Sequence, residues 1–266
     1  MNKLSAQLGV AALSTLSLLS MSPSGAQAAG LSLRGDLLDT FSSYVQSEGV
    51  AFDELALPQL DASDLYWDGV DPVEVFFIDE GAGFKNQLLF SSNDQPLQTI
   101  FSDVSGVNST MGSADGVLAL GEGRGLGTFD GPTQLSFFIN SDGARNNNNH
   151  NLYGADEYTG QIVDGKEVNS DGLSHLIAYN YFDEVEQENY TIIGFEDLWG
   201  AQGTRSQEMN GFNYAVDRDF NDVVFAVKGL SQGAPPSQEV PEPSALLGLI
   251  GMTLLGSKGL KRKLAA

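Results

Sequence analysis

The chain contains no cysteine, only two histidines and two tryptophans, and 13 basic residues against 35 acidic ones in a length of 266. Each shortage excludes something. Without cysteine there is no disulfide framework, no thiolate metal site and no cysteine nucleophile. With so few histidines, zinc and copper lack their usual ligands. The shortage of positive charge is sharpest between Ala29 and Gln238, where 33 acidic side chains face 8 basic ones, a formal net charge of −25. Such a surface repels nucleic acid and anionic lipid at long range and attracts cations, so DNA and RNA are excluded as partners. Also missing are a Gly-x-Ser-x-Gly elbow, a His-Glu-x-x-His helix, a phosphate-binding loop and a dinucleotide fingerprint.

The two ends stand apart from this acidic body. Residues 1–28 read as a cleavable secretory signal. Lys3 lies beside the free amine, an apolar stretch runs from Leu8 to Leu19, Ser22-Pro23-Ser24-Gly25 breaks the pattern, and small residues at Ala26 and Ala28 suit a signal peptidase. At the other end, residues 231–240 read as a linker, with Gly233, Pro235 and Pro236. Residues 241–263 follow as a marginal membrane tail. An apolar run from Ser244 to Gly256 falls short of the ~20 residues of an ordinary spanning helix, and Lys261, Arg262 and Lys263 would hold its end on the cytoplasmic side. The order Pro241-Glu242-Pro243, apolar run, basic end closely resembles the PEP-CTERM sorting signal of Gram-negative bacteria and cyanobacteria. The resemblance implies transient membrane anchoring, processing by an exosortase, and delivery to the cell surface or extracellular matrix. A plain tail anchor is the competing reading.

The body, residues 29–230, is long enough for one good core. One helical signature occurs near its start, where Leu37, Leu38, Phe41, Tyr44 and Val45 fall on one face before Gly49. Strands dominate thereafter, with candidates at 73–78, 87–90, 99–104, 117–120, 133–140, 173–182, 190–195 and 223–227. Each is rich in aromatic or branched residues and bounded by Gly, Asn, Asp or Ser. Many short strands without interleaved helices predict a mostly β chain, an antiparallel β-sandwich of jelly-roll-like type with one short N-terminal helix. The low-complexity stretch from Asn140 to His150 reads as a solvated loop.

The candidate chemistry lies late in the body. The run Tyr190 to Phe195 ends in Glu196-Asp197, and the run Val223 to Val227 begins after Asp217-Arg-Asp219-Phe-Asn221-Asp222. Pairing these strands antiparallel would crowd six oxygen-bearing side chains at one edge. Two carboxylates ~5 Å apart repel by roughly 3 kcal/mol at an effective dielectric of 20. A hard cation resolves the conflict, and an all-oxygen set of Glu196, Asp197, Asp217, Asp219, Asn221 and Asp222 points to calcium. The spacing is not that of an EF-hand: Asp222 stands where that loop needs Gly, and Lys228 where it needs a bidentate Glu. The competing reading is a water-exposed acidic loop with Asp and Asn as turn formers.

The same residues carry a second resemblance. Gly194-Phe-Glu-Asp-Leu198, Asp217-Arg-Asp-Phe-Asn-Asp-Val-Val-Phe225 and, upstream, Asp171-Gly-Leu-Ser-His175-Leu resemble the family catalogued as domain of unknown function 4114, over residues 133–228. The connection from Leu198 to Asp217 is longer than the short Gly-rich one of that family. The resemblance implies a β-rich, calcium-binding exported module and no reaction. Trp199, beside the acidic pair, and His175, in its apolar strand, are candidate ligand contacts, each with core packing as the competing reading.

Three functions fit: a surface or matrix protein whose calcium-braced sandwich binds polysaccharide or surface proteins, an exopolysaccharide hydrolase using Glu196 with Asp222 as acid and base, and a coat protein with no specific ligand. The hydrolase calls for an aromatic-lined cleft and a carboxyl of raised pKa, the first for carboxylates converging on a metal.

Overall fold

The structure is a computed structural model that describes residues 30–47, 49–52, 57–108, 116–145, 151–207, 211 and 213–233. The expected signal, the sorting tail with Pro241, Glu242 and Pro243, most of the linker, and His150 lie outside these residues. Among the described residues no helix is long and apolar enough to cross a membrane.

In chain order the strands are β1 (Leu31–Ser32), β2 (Gln59–Leu60), β3 (Leu65–Trp67), β4 (Val73–Asp79) and β5 (Asn86–Ser92). Then follow β6 (Gln98–Val104), β7 (Glu122–Gly127), β8 (Leu135–Asn140), β9 (Leu152–Tyr153) and β10 (Ile162–Val163). The last five are β11 (Lys166–Glu167), β12 (Leu176–Asp183), β13 (Glu188–Phe195), β14 (Val223–Lys228) and β15 (Leu230–Gln232). Helix α1 spans Gly35–Ser42. Seven strands form one antiparallel sheet in the order β1-β7-β4-β14-β13-β12-β2, and four form a second, β6-β5-β8-β9, with small pairs β10-β11 and β15-β3 beside them. The expected antiparallel sandwich is what the chain builds.

The periodicity of β14 shows how the layers are assembled. Val223, Phe225 and Val227 point between the sheets, where they meet Leu88, Phe101, Phe137 and Ile139 of the second sheet. Val224 and Ala226 point outward, where Leu37 and Phe41 of α1 cover them together with Phe52 and Tyr179. Burial on both faces explains why Val223-Val-Phe-Ala-Val227 is continuously apolar and not alternating. A third, smaller cluster of Phe138, Leu152, Tyr158 and Val168 covers the outside of the second sheet. Arg34 ties the start of α1 to the β12–β13 hairpin through two bonds to the Asp183 carboxylate, at 2.9 and 3.0 Å. The guanidinium hydrogen bond holds that carboxyl below its usual range.

Two sequence expectations need correction. Residues 117–120 form no strand; Leu118 makes only an isolated bridge to Gly106, and the sheet is continued by the glycine-rich β7. Gly123 is required there because a Cβ would sit 2.7 Å from the Phe76 ring. The start of the stretch after Asn140 is not a solvated loop either. Ser141 and Asp142 are buried, because the Ser141 hydroxyl donates to the Asp197 carbonyl at 2.9 Å and the Asp142 amide donates to Asn86 Oδ1 at 2.9 Å.

Candidate metal centre

β13 and β14 pair antiparallel with Phe195 opposite Val223. Glu196-Asp197, leaving one strand, therefore face Asn221-Asp222, entering the other. Glu196, Asp217 and Asp219 each bring an oxygen to within 4.8 Å of the others. Asp197 and Asp222 sit one step towards the second sheet: the Asp197 amide donates to Asp222 Oδ2 at 2.7 Å, and Asn86 Nδ2 donates to Asp197 Oδ2 at 2.7 Å. The six predicted oxygen ligands thus share one rim, as a tight trio with a flanking pair and Asn221.

Burial removes the exposed-loop reading. Glu196 and Asn221 are 0% exposed, Asp219 1%, Asp197 3% and Asp222 4%; only Asp217 is half-exposed. The loop reaches this shape through alternate residues in the left-handed region, Arg218 at φ 55° and Phe220 at φ 58°. Neither is glycine, so each costs of order 1–3 kcal/mol, a cost typical of functional loops. The alternation turns Asp217 and Asp219 to the same side.

Residues far away in sequence hold the loop. Asp219 Oδ2 accepts the Gly49 amide at 2.9 Å, and its carbonyl accepts the Phe52 amide at 2.9 Å. Asn221 Nδ2 donates to the Val50 carbonyl at 3.1 Å. With its amide nitrogen so fixed, Asn221 Oδ1 points elsewhere and has no hydrogen-bond partner among the described residues; neither does Glu196 Oε2. Among the described residues no ion pair neutralises Glu196, Asp217 or Asp219. Arg218, the nearest cation in sequence, donates instead to the Ser174 carbonyl and lies 5.0 Å over the Phe220 ring. Burial, reinforced by the charges of Asp222 and Asp217, pushes the Glu196 carboxyl up to about 10. Burial also raises Asp219. Two buried oxygens without donors and a carboxylate trio without an ion pair among the described residues are the features an oxygen-coordinated metal would satisfy.

His175 is fully buried beneath this rim. Its Nδ1 lies 2.9 Å from the Glu196 carbonyl and its Nε2 2.9 Å from Asp171 Oδ2, and the ring stacks on Tyr153 at 3.9 Å. Burial lowers its pKa. The ring fixes the backbone of Glu196 from below. Trp199 is half-buried, with its indole N–H donating to Ser170 Oγ at 3.1 Å. The aromatics beside the acids are Phe84 and Tyr214. They line a cavity of about 300 Å³ with Leu198, Asp197, Asp217 and Asp222, and their rings meet edge to face at 5.5 Å. Neither stood out in sequence: Phe84 is far from the acidic motif, and Tyr214, three residues before Asp217, gains its partner only through the fold. Asn86, Ser141 and the Gly49–Phe52 segment escaped for the same reason.

Gly194 links strand and loop: a Cβ there would collide with the Phe220 carbonyl. Gly194→Ala should cost about 1–3 kcal/mol by overpacking and displace the acidic loop. Thermal unfolding checks it, and a melting temperature equal to wild type would show that the loop is not held against β13.

No curated protein and no solved structure matches the chain. The match that exists begins just ahead of β8 and runs through the acidic loop to the end of β14, while β4 to β7 and the Gly49–Phe52 buttress precede it. Residues 129–230, which bring Glu196, Asp197, Asp217, Asp219, Asn221 and Asp222 to the rim, match the family described as Domain of unknown function (DUF4114).

Proposed function

We propose that the rim between β13 and β14 is a calcium site and that the protein is an exported surface or matrix protein, binding polysaccharide or surface partners without catalysing a reaction. The observation that carries the calcium reading is the trio of Glu196, Asp217 and Asp219 within 4.8 Å, with Glu196 and Asp219 buried and none of the three in an ion pair among the described residues. Glu196 Oε2 and Asn221 Oδ1, buried and without donors, extend the shell. Asp197, Asp222 and water would complete six to eight oxygens, and no sulfur or imidazole competes. Export rests on the N-terminal signal pattern and the Pro241-Glu242-Pro243 tail, with signal peptidase and an exosortase as processing partners.

The hydrolase is favoured by one observation, the raised Glu196 carboxyl, which is what a general acid requires. Its position argues against that role. Glu196 is 0% exposed and lies behind the cavity wall, whose acids are Asp197, Asp217 and Asp222. A raised pKa is equally the signature of an acidic cluster lacking its cation.

Calcium at 100 times its dissociation constant should stabilise the purified protein by about 2.7 kcal/mol if only the folded state binds. Thermal unfolding with calcium and with chelator measures this. Asp217→Asn or Asp219→Asn should remove most of the response. A melting curve indifferent to calcium after metal removal would dismiss the site.

A further inference from the structure

The geometry points to a saccharide seat in the cavity between Phe84, Tyr214 and the acidic rim, in which two neighbouring hydroxyls of a neutral pyranose complete the coordination of the calcium while a C–H face of the ring rests on Tyr214. This rests on the calcium reading and goes beyond it by naming the ligand chemistry and the aromatic residues that meet it.

The argument starts from Asp217. Of the three clustered carboxylates, Glu196 and Asp219 are buried, and Asp217 alone is half-exposed and lines the cavity. An ion held by the trio is therefore enclosed by protein on the Glu196 and Asp219 side and approached from the cavity on the Asp217 side. Calcium accepts six to eight oxygens, and ligands on the open side must be neutral oxygens, since the body already carries a large negative charge. Hydroxyl pairs on a sugar meet that requirement; carboxylated or sulfated chains are repelled.

The opposite wall supplies the second half of the recognition. Phe84 is 5% exposed and held edge-on by Tyr214 at 5.5 Å, while Tyr214 is itself 43% exposed. The buried ring braces the exposed one, so the part of Tyr214 that lines the cavity meets a ligand at small entropic cost. Leu198 adds apolar surface to the same wall. A volume of about 300 Å³ is at the small end of ligand pockets and suits a terminal or single sugar unit more than an extended chain. Empty of metal, the same walls would favour an organic cation, with carboxylates for charge and aromatic faces for cation–π contact. The two chemistries are therefore separated by calcium.

The test is saturation-transfer NMR on the full chain with glucose, galactose, mannose and fucose, and with choline as the cationic probe, each in calcium and in chelator. Saturation should pass to ring C–H protons of at least one sugar in calcium and vanish in chelator. Tyr214→Ala should weaken that binding about tenfold. Tyr214→Phe should retain it, and both variants should keep the full calcium shift in melting temperature, which shows that the fold and the ion are intact. Sugar binding unchanged by chelator or by Tyr214→Ala would overturn the proposal, as would choline binding in calcium with no sugar bound. A normal calcium shift with no transfer to any of the four sugars would overturn the seat and leave the calcium site standing. The absence of any calcium shift would remove the site beneath it.

Discussion

Glu196→Gln is expected to raise the melting temperature of the chelated protein at pH 7 and to abolish most of the stabilisation by calcium, so that the wild-type and variant curves exchange order when the metal is added. In the metal-free fold, burial and the charges of Asp222 and Asp217 lift the Glu196 carboxyl from 4.5 to about 10. The folded state then binds this proton more tightly than the unfolded state. The resulting stabilisation is fully present below pH 4.5 and is lost progressively as the pH rises towards 10. At pH 7 about 2.5 pH units of that range have been crossed, a cost of order 3 kcal/mol. Glutamine is never charged and escapes it. At about 2–4 °C per kcal/mol for a domain of this size, the chelated variant should melt about 6–12 °C above wild type. With calcium present the sign reverses, because the carboxylate is then a ligand and protons compete with the ion. The calcium shift of the wild type should therefore shrink steadily as the pH falls from 8 to 5, because binding must displace the proton held by Glu196. Melting curves from pH 5 to pH 8 in calcium and in chelator measure both halves. A chelated variant less stable than wild type at pH 7 would mean that Glu196 makes favourable contacts without any ion.

The sandwich and the rim were legible in sequence for different reasons. Strands such as Tyr190 to Phe195 and Val223 to Val227 announce themselves by branched and aromatic content, and both form within two residues of expectation. Their direct pairing was an assumption of adjacency; the register that sets Phe195 opposite Val223 bears it out. What sequence could not supply is everything that arrives from another layer. The Gly49 amide on Asp219, the Asn86 amide on Asp197 and the Phe84–Tyr214 contact each join residues more than 100 positions apart. No local pattern encodes them. The failed strand at 117–120 shows the opposite hazard. Val117-Leu-Ala-Leu120 has strand composition, yet the sheet takes the poorer strand former Glu122–Gly127, because only glycine lets the chain lie against the Phe76 ring.

Phe225→Ala is expected to be the most destabilising single change, at about 3–5 kcal/mol. The ring is 1% exposed at the centre of β14 and stacks on Phe101 of the opposite sheet, with centroids 5.8 Å apart and planes at 8°. It also leans on Phe77 of the neighbouring strand at 6.0 Å. It thus joins two strands of one sheet to the other sheet, and its removal leaves a void bounded by rigid aromatics that cannot collapse to fill it. β14 enters the core directly after Asp222, so the same change tests whether the rim depends on the core behind it. Calcium stabilises by a term set only by its concentration and its affinity for the folded state. If the core holds β14 in place and the rim retains its geometry, the variant should unfold earlier in urea with an unchanged slope and still gain the full calcium increment. Phe225→Leu should lose less than half as much, because most of the volume is kept. A loss below about 1 kcal/mol for the alanine variant would contradict the packing of the two sheets. A full loss of stability combined with a vanished calcium increment would show that the ions and the core fold as one unit, with the site assembled only when β14 is locked between Phe101 and Phe77.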